Sequence, residues 1–304
     1  MMTPMNKLRM PAVARALALS ASLLCTTTAV ALAADWNAPQ QPFAIFGNTY
    51  YVGTGGLSAV LITSPAGHIL IDGASAQAPA AIAAHIRELG FRVEDIRYIL
   101  NSHEHGDHAG GIAALQKLSG ATVLASVHGE QVLRTGQVSP GDPQRRNLST
   151  PLTPVAQTRS VRDGEVVTVG PLAVTAHYTP GHTQGGTSWT WQSREGGVTA
   201  SIVYADSLNA IGDGVFRYSG NAVYPQALAE LKASMNKVAG FDCDILVSAH
   251  PEAGGLWARH EKQRESGNAA MIDGQACRRY VADARARLAE TLAAEAQQPA
   301  AQRR

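Results

Sequence analysis

Residues 96–111 read IRYILNSHEHGDHAGG, and this stretch decides the fold. Ile96–Leu100 is a short apolar run of the kind that forms a buried strand, and it ends at Asn101. Immediately beyond it, His103, His105, Asp107 and His108 put four metal-ligating side chains within six residues. Imidazole and carboxylate are good zinc donors. Their spacings of two, two and one do not share a helix face, where three or four would be needed. The pattern predicts a tight polar loop over His103–Gly110, relaxed at Gly106 and held by a rigid sheet edge. Charged groups gathered there need a partner or a metal.

Two further histidines stand in similar places. His182 lies in TPGHTQGGTSW, just past a predicted strand Leu172–Tyr178. His250 lies in SAHPEAGG, just past a predicted strand Ile245–Ser248. Ligands at the C-terminal ends of several strands can converge on one edge of a sheet sandwich. His68, His85, His128, His177 and His260 lack this placement.

Working outward, Phe43–Phe46, Thr49–Val52, Ser58–Thr63 and His68–Ile71 read as strands, followed by a helix over Gln77–Leu89 and another ending at Gly120. Val166–Val169, Leu172–Tyr178, Thr187–Trp191 and Val198–Tyr204 form a second set of strands, followed by a helix over Pro225–Val238. Residues 256–294 read as helical, with breaks around Gly267 and Gly274. Two runs of strands, each followed by helices, predict an α/β protein: a four-layer αβ/βα sandwich of two mixed sheets with helices on the outer faces. Residues 136–158 lack periodicity and hold several prolines; so long a loop in a compact domain is often functional.

The chain has 304 residues, 45% hydrophobic and 16% charged, enough for a sizeable core. Lys7, Arg9 and Arg15, the apolar run Ala16–Cys25 and the small-x-small site Ala31-Leu32-Ala33 have the layout of a secretory signal peptide over residues 1–34. The expected organisation is that leader, one domain over 35–294, and a flexible tail over 295–304. Without the leader, 22 Lys and Arg face 24 Asp and Glu, a net of −2. Such a chain has no bulk electrostatic reason to bind nucleic acid or an anionic membrane. The mature form is expected in the periplasm, as a monomer and off the membrane. Its two cysteines, Cys243 and Cys277, can oxidise after export.

HEHGDHAGG, GHTQGGTSWTW, YADSLNA and the His250 segment, in that order, resemble the metallo-β-lactamase superfamily over about Trp36–Tyr280. The details are similar to its subclass B3 β-lactamases. The resemblance implies two zinc ions per chain, one on His103, His105 and His182, the other on Asp107, His108 and His250. It also implies a Cys243–Cys277 disulfide, and a substrate carboxylate held by Ser207 and Asn209. Asp107 would in addition orient the attacking water, making it the catalytic residue. The implied activity is zinc-dependent hydrolysis of the β-lactam amide of penicillins, cephalosporins and carbapenems, conferring resistance to these small-molecule substrates. No serine-hydrolase motif is expected. A lactonase or a thioesterase of the glyoxalase II kind shares the HxHxDH signature, and a non-catalytic periplasmic zinc-binding protein is a third alternative. Asp206 and Ser207 bear on the choice: an Asp bridging both metals favours the lactonase, a Ser facing the site favours the lactamase. Asp72 is expected either to support the ligand loop or to cap a turn. Glu104, Gln184 and Glu252 depart from the common pattern, and the two acids add negative charge near the site. Trp36, Phe43 and the 136–158 loop are expected to wall the groove.

Overall fold

The computed structural model describes Met1 and residues 35–148 and 150–297. The expected leader and residues 298–304 therefore lie outside the described residues. From Asp35 onward the chain forms one compact unit.

The first sheet has seven strands in sequence order: β1 (Phe43–Phe46), β2 (Thr49–Tyr51), β3 (Val60–Ile62), β4 (His68–Ile71), β5 (Ile96–Leu100), β6 (Thr122–Ser126) and β7 (Thr158–Val161). It is antiparallel from β1 to β4 and parallel from β4 to β7. The second sheet has five: β8 (Val166–Val169), β9 (Leu172–Tyr178), β10 (Thr187–Glu195), β11 (Val198–Ala205) and β12 (Ile245–Ser248). Here only the β11–β12 pair is parallel. Helices α1 (Pro79–Glu88), α2 (Gly106–Ala109), α3 (Ile112–Ser119), α4 (Val127–Thr135), α5 (Ala227–Ala239), α6 (Leu256–Ser266) and α7 (Ala276–Gln297) complete the unit.

Period-two alternation along the strands builds four layers, because successive side chains leave opposite faces of a sheet. Val60, Ile62, Ile69, Ile71, Leu100 and Leu124 point between the sheets, meeting Val174, Trp189, Ile202, Tyr204, Ile245 and Val247. Their neighbours Leu61, Leu70, Ile99 and Val123 face outward against Ile82, Ile86, Ile112 and Leu115 of α1 and α3. On the other side Val203, Ala205 and Leu246 meet Leu231 and Met235 of α5 and Val281 and Leu288 of α7. The predicted αβ/βα sandwich is the architecture found.

Four elements were not anticipated: α2, β6, α4 and β7. The His103–Gly110 segment is not wholly loop, since Gly106–Ala109 makes one helical turn that carries Asp107 and His108. Residues 295–297, expected in a flexible tail, belong to a helix instead. Helix α7 runs to Gln297, and the buried Glu295 carboxylate accepts from the Tyr218 and Ser219 amides. Cys243, just before β12, and Cys277 on α7 are disulfide-bonded, 34 residues apart. No helix among the described residues is long and apolar enough to cross a membrane.

Candidate metal centre

Strands β4, β5, β9, β11 and β12 each deliver functional residues just past their last residue. β4 leads into Asp72, β5 into His103–His108, β9 into His182, β11 into Asp206–Asn209 and β12 into His250. The six predicted donors meet at this edge.

His103, His105 and His182 are all buried, with ring centroids 4.9–5.0 Å apart and planes close to perpendicular. Each ring spends one nitrogen on an acceptor behind it. His103 Nδ1 donates to Asp206 Oδ1 at 2.8 Å, His105 Nε2 to Asp142 Oδ2 at 2.9 Å, and His182 Nδ1 to the Asn209 carbonyl at 2.8 Å. That leaves His103 Nε2, His105 Nδ1 and His182 Nε2 turned toward one another, with the Gln144 side-chain amide 3.4 Å from His105 Nδ1. His103 Nε2 is buried with no protein partner. One ring nitrogen fixed by a carboxylate or carbonyl, the other free, is how metal-ligating histidines are oriented. The donors lie within 4.8 Å of each other, as a shared ion requires.

The second trio is tighter. Asp107 Oδ2 lies 3.1 Å from His108 Nε2 and 3.3 Å from His250 Nε2, and the two ring nitrogens are 3.2 Å apart. His250 is oriented from behind by the Gly56 carbonyl at 3.2 Å. His103 is also within reach of Asp107 and His108, so the two groups adjoin. Burial works to raise the Asp107 carboxyl, but the His108 and His250 rings outweigh it and hold Asp107 well below the usual carboxylate range. Burial pushes His182 down to about 3 and His103 well below its ordinary value. Both therefore stay neutral, as metal ligands must. For His105 burial acts in the same direction, but its bond to Asp142 prevails and raises it. The donor set, the freed nitrogens and the orphaned His103 Nε2 fit a metal.

Behind the ligands, Asp72 supports their loop rather than merely capping a turn. Its carboxylate accepts from the Ser102 amide at 2.7 Å, the Ser102 hydroxyl at 2.6 Å and the Tyr204 hydroxyl at 2.8 Å. It holds this position from a backbone φ of 61°, a region costly for a residue with a Cβ.

Glu104, expected to add negative charge near the site, is buried between the ligand loops and does not line the cavity. Its buried carboxylate accepts from the Thr183 hydroxyl at 2.9 Å and the Gly185 amide at 3.2 Å, tying the two ligand loops together. A Cβ at Gly185 would lie 2.3 Å from Glu104 Oε2, and one at Gly186 2.5 Å from Asp206 Oδ2. The GG pair thus exists to let these carboxylates approach. Gln184 accepts from the Ser139 hydroxyl at 2.7 Å and so tethers the 136–157 loop. Glu252 lines a separate depression beside Arg259 and Lys262.

A cavity of about 400 Å³ opens over the donors. His105, Asp107, His182 and His250 form its floor. Ser207 and Asn209 line one part, and Trp36, Gln144, Leu148 and Ile211 the walls. Trp36 and, from the predicted 136–158 loop, Gln144, Asn147, Leu148 and Thr150 take the predicted place. Phe43 does not: it stacks on Tyr51 and His260 at the far side of the first sheet. Asp206 is fully buried behind His103 while Ser207 lines the cavity, which resolves the register left open by the sequence. The expected absence of serine-hydrolase motifs needs one correction, since Ser234 and Lys237 form an SxxK pattern in α5. Ser234 donates to the Pro180 carbonyl, and Lys237 to Asp163 and the Tyr178 carbonyl, so both serve packing. Asp142 was missed by sequence reasoning. It sits in a proline- and glycine-rich stretch, and nothing local distinguishes it from a turn-forming aspartate.

The chain belongs to the metallo-beta-lactamase superfamily, whose sequence profile matches residues 52–250. Within that superfamily it is similar to solved subclass B3 enzymes. One is MEM-A1, a subclass B3 metallo-beta-lactamase isolated from a soil metagenome library. The two are 66% identical with a TM-score of 0.85, over 86% of this chain and 99% of that one. Another is the metallo-beta-lactamase SMB-1 bound to 2-mercaptoethanesulfonate, 50% identical with a TM-score of 0.83, over 86% and 99% of the two chains. The hydroxyacylglutathione hydrolase of Anaeromyxobacter dehalogenans is 33% identical over 134 residues, 44% of this chain; the match spans only 40% of that relative's length.

Proposed function

We propose that this protein is a di-zinc β-lactamase. It hydrolyses the amide of penicillins, cephalosporins and carbapenems, and is exported as a monomer to the periplasm by residues 1–34, where it confers β-lactam resistance. The observation that carries the reading is the placement of Asp206 and Ser207. The carboxylate that a lactonase or glyoxalase-type relative would use as a metal bridge is fully buried behind His103, with Oδ1 accepting from its Nδ1. The hydroxyl stands in the cavity. The open cavity beside the donors also speaks against a storage protein, whose coordination would be closed.

His103, His105 and His182 would hold one zinc, and Asp107, His108 and His250 the other. When bound, the two ions supply Lewis acidity for the carbonyl and leaving nitrogen, and lower the pKa of water from ~16 to about 7. The chain's own residues do the rest. Asp107, kept deprotonated by its histidine neighbours, accepts a hydrogen bond from the attacking water and sets its direction. Ser207 and Asn209 donate to the substrate carboxylate, fixing the scissile amide over the donors. Trp36, Leu148 and Ile211 offer apolar surface to variable side groups without selecting among them.

The test is direct. Zinc-replete protein recovered from the periplasm is assayed on nitrocefin, imipenem, a lactone panel and a hydroxyacylglutathione thioester, with and without chelator. The expected result is chelator-sensitive β-lactam hydrolysis, unaffected by clavulanate. Opening of lactones or thioesters with nitrocefin and imipenem left intact would overturn the proposal.

A further inference from the structure

Asn209 projects into the cavity from the segment after β11, and its amide could face either way from sequence alone. In the fold one helix decides the matter. Arg287 on α7 donates from Nε to Asn209 Oδ1 at 2.8 Å. Asn209 Nδ2 makes no hydrogen bond to the protein among the described residues, so the N–H donors are the free end of that amide. The Asn209 carbonyl, meanwhile, is the acceptor for His182.

The same helix grips the whole segment. The Tyr280 hydroxyl donates to the Asp206 carbonyl at 2.8 Å, and the Thr291 hydroxyl to the Ala210 carbonyl at 3.3 Å. Tyr280, Arg287 and Thr291 are seven and four residues apart, which puts them on one helical face. The disulfide at Cys277 anchors the start of α7 next to β12. Arg287 stands out from the other two. Its Nη2 is buried with no partner, and no carboxylate among the described residues neutralises its charge. The side chain as a whole is part-buried, so the guanidinium keeps some contact with solvent while its Nη2 meets neither water nor, among the described residues, an anion. A charged donor on the amide oxygen also polarises the group, making the N–H end a stronger donor.

We propose that Arg287 is a positioning residue for substrate recognition. It occupies Asn209 Oδ1, so that only N–H donors face the cavity, and its unpaired charge strengthens them toward an anionic carboxylate. The proposal rests on the β-lactamase reading above and names what makes the site prefer acids over their neutral esters.

The experiment compares a chromogenic cephalosporin with its methyl ester, using wild-type zinc-replete enzyme and the R287M, R287K, N209A and R287M/N209A variants. Melting temperature and zinc content are measured alongside. Wild type should prefer the acid. R287M should raise KM for the acid about tenfold with kcat nearly unchanged, because the carboxylate is held alike in ground and transition states. Its KM for the ester should barely move. R287K, which keeps the charge but loses the planar donor, should fall between. In the N209A background R287M should add nothing further to KM. A helix-docking role alone would lower the melting temperature and leave the acid-to-ester ratio intact, and that outcome overturns the proposal. An equal effect of R287M with and without Asn209 also overturns it. If R287M does not fold, R287K decides: an unchanged ratio refutes the role of Arg287, a reduced one supports it. Wild-type enzyme that cleaves neither compound refutes the β-lactamase reading itself, whereas wild type that prefers the acid, with a variant that keeps the preference, refutes only Arg287.

Discussion

Replacing Asp142 should weaken zinc binding at the three-histidine site without touching a ligand. The His105–Asp142 contact is 2.9 Å long, and the two side chains are 4% and 1% exposed. D142A would leave the His105 N–H facing a dry interior with no acceptor. Losing a hydrogen bond to a charged group costs about 1.5–3 kcal/mol. At about 1.4 kcal/mol per tenfold, that is roughly 10–100-fold in zinc affinity, the range typical of such supporting partners. D142N carries one carbonyl oxygen where Asp142 offers two acceptors, Oδ2 for His105 and Oδ1 for the Gln144 amide, so it can keep only one of these bonds. With that oxygen turned to His105, the neutral acceptor is about half as strong as the carboxylate, so the loss in zinc affinity should be roughly 3–10-fold. Competition with a chromophoric chelator reads the zinc dissociation constants of wild type, D142N and D142A. Both variants binding zinc within twofold of wild type would refute the idea that Asp142 sets the basicity and orientation of His105.

Other expectations follow from the same geometry. Metal-replete protein should hold about two zinc ions per chain, with H182A and H250A each retaining about one; elemental analysis giving one zinc in wild type would refute the two-site assignment. Removing the disulfide by C243A/C277A should cost about 4 kcal/mol in the chain-entropy model for a closed loop of this length. For a unit this large that lowers Tm by roughly 7 °C, and unchanged calorimetric melting would count against it. In metal-free protein His182 is held down to about 3, so below the ordinary imidazole value of about 6.5 the unfolded chain binds a proton that the folded one excludes. Stability from this group is complete above that value and is lost as pH falls toward 3. Metal-free wild type should therefore lose more stability between pH 7 and 5 than metal-free H182Q, and parallel urea curves would contradict this.

Much of this was legible in advance because the sheets leave a period-two signature and the ligands follow strand ends. β1, β4, β5, β8, β9 and β12 are found where their apolar runs and alternation predict. The unseen part has physical reasons. β6 runs directly into α4 without a glycine or proline between them, so no punctuation marks the change of period. β7 reads TRSV, with its middle two residues exposed at the sheet edge, and offers no buried pattern to detect. Asp142, Arg287 and the outward turn of Glu104 are tertiary facts. Each acts on a residue 37 or more positions away in the chain, through a contact that no local spacing encodes. Phe43 was misplaced for a related reason: its strand was correctly read, but which sheet edge it borders depends on the order of strands.

Which side chain enters the cavity comes down to one residue of register at the end of β11. Asp206 and Ser207 are neighbours, and an offset of one would exchange a buried carboxylate for the hydroxyl in the cavity. Three contacts forbid it. Parallel pairing with β12 sets Ala205 opposite Ser248. The Asp206 amide donates to the Ser188 hydroxyl at 3.0 Å on β10, and its carbonyl accepts from Tyr280 on α7. The Asp206 side chain then packs against Gly186, where only the absence of a Cβ leaves room. Each constraint comes from a different element, so local fluctuation of one does not release the others. This is why the carboxylate can serve as a fixed acceptor for His103 while the next residue lines the cavity. The GG pair of the ligand loop, the hydroxyl of Ser188 and the tyrosine of the last helix are thus parts of one device that keeps Asp206 out of the cavity.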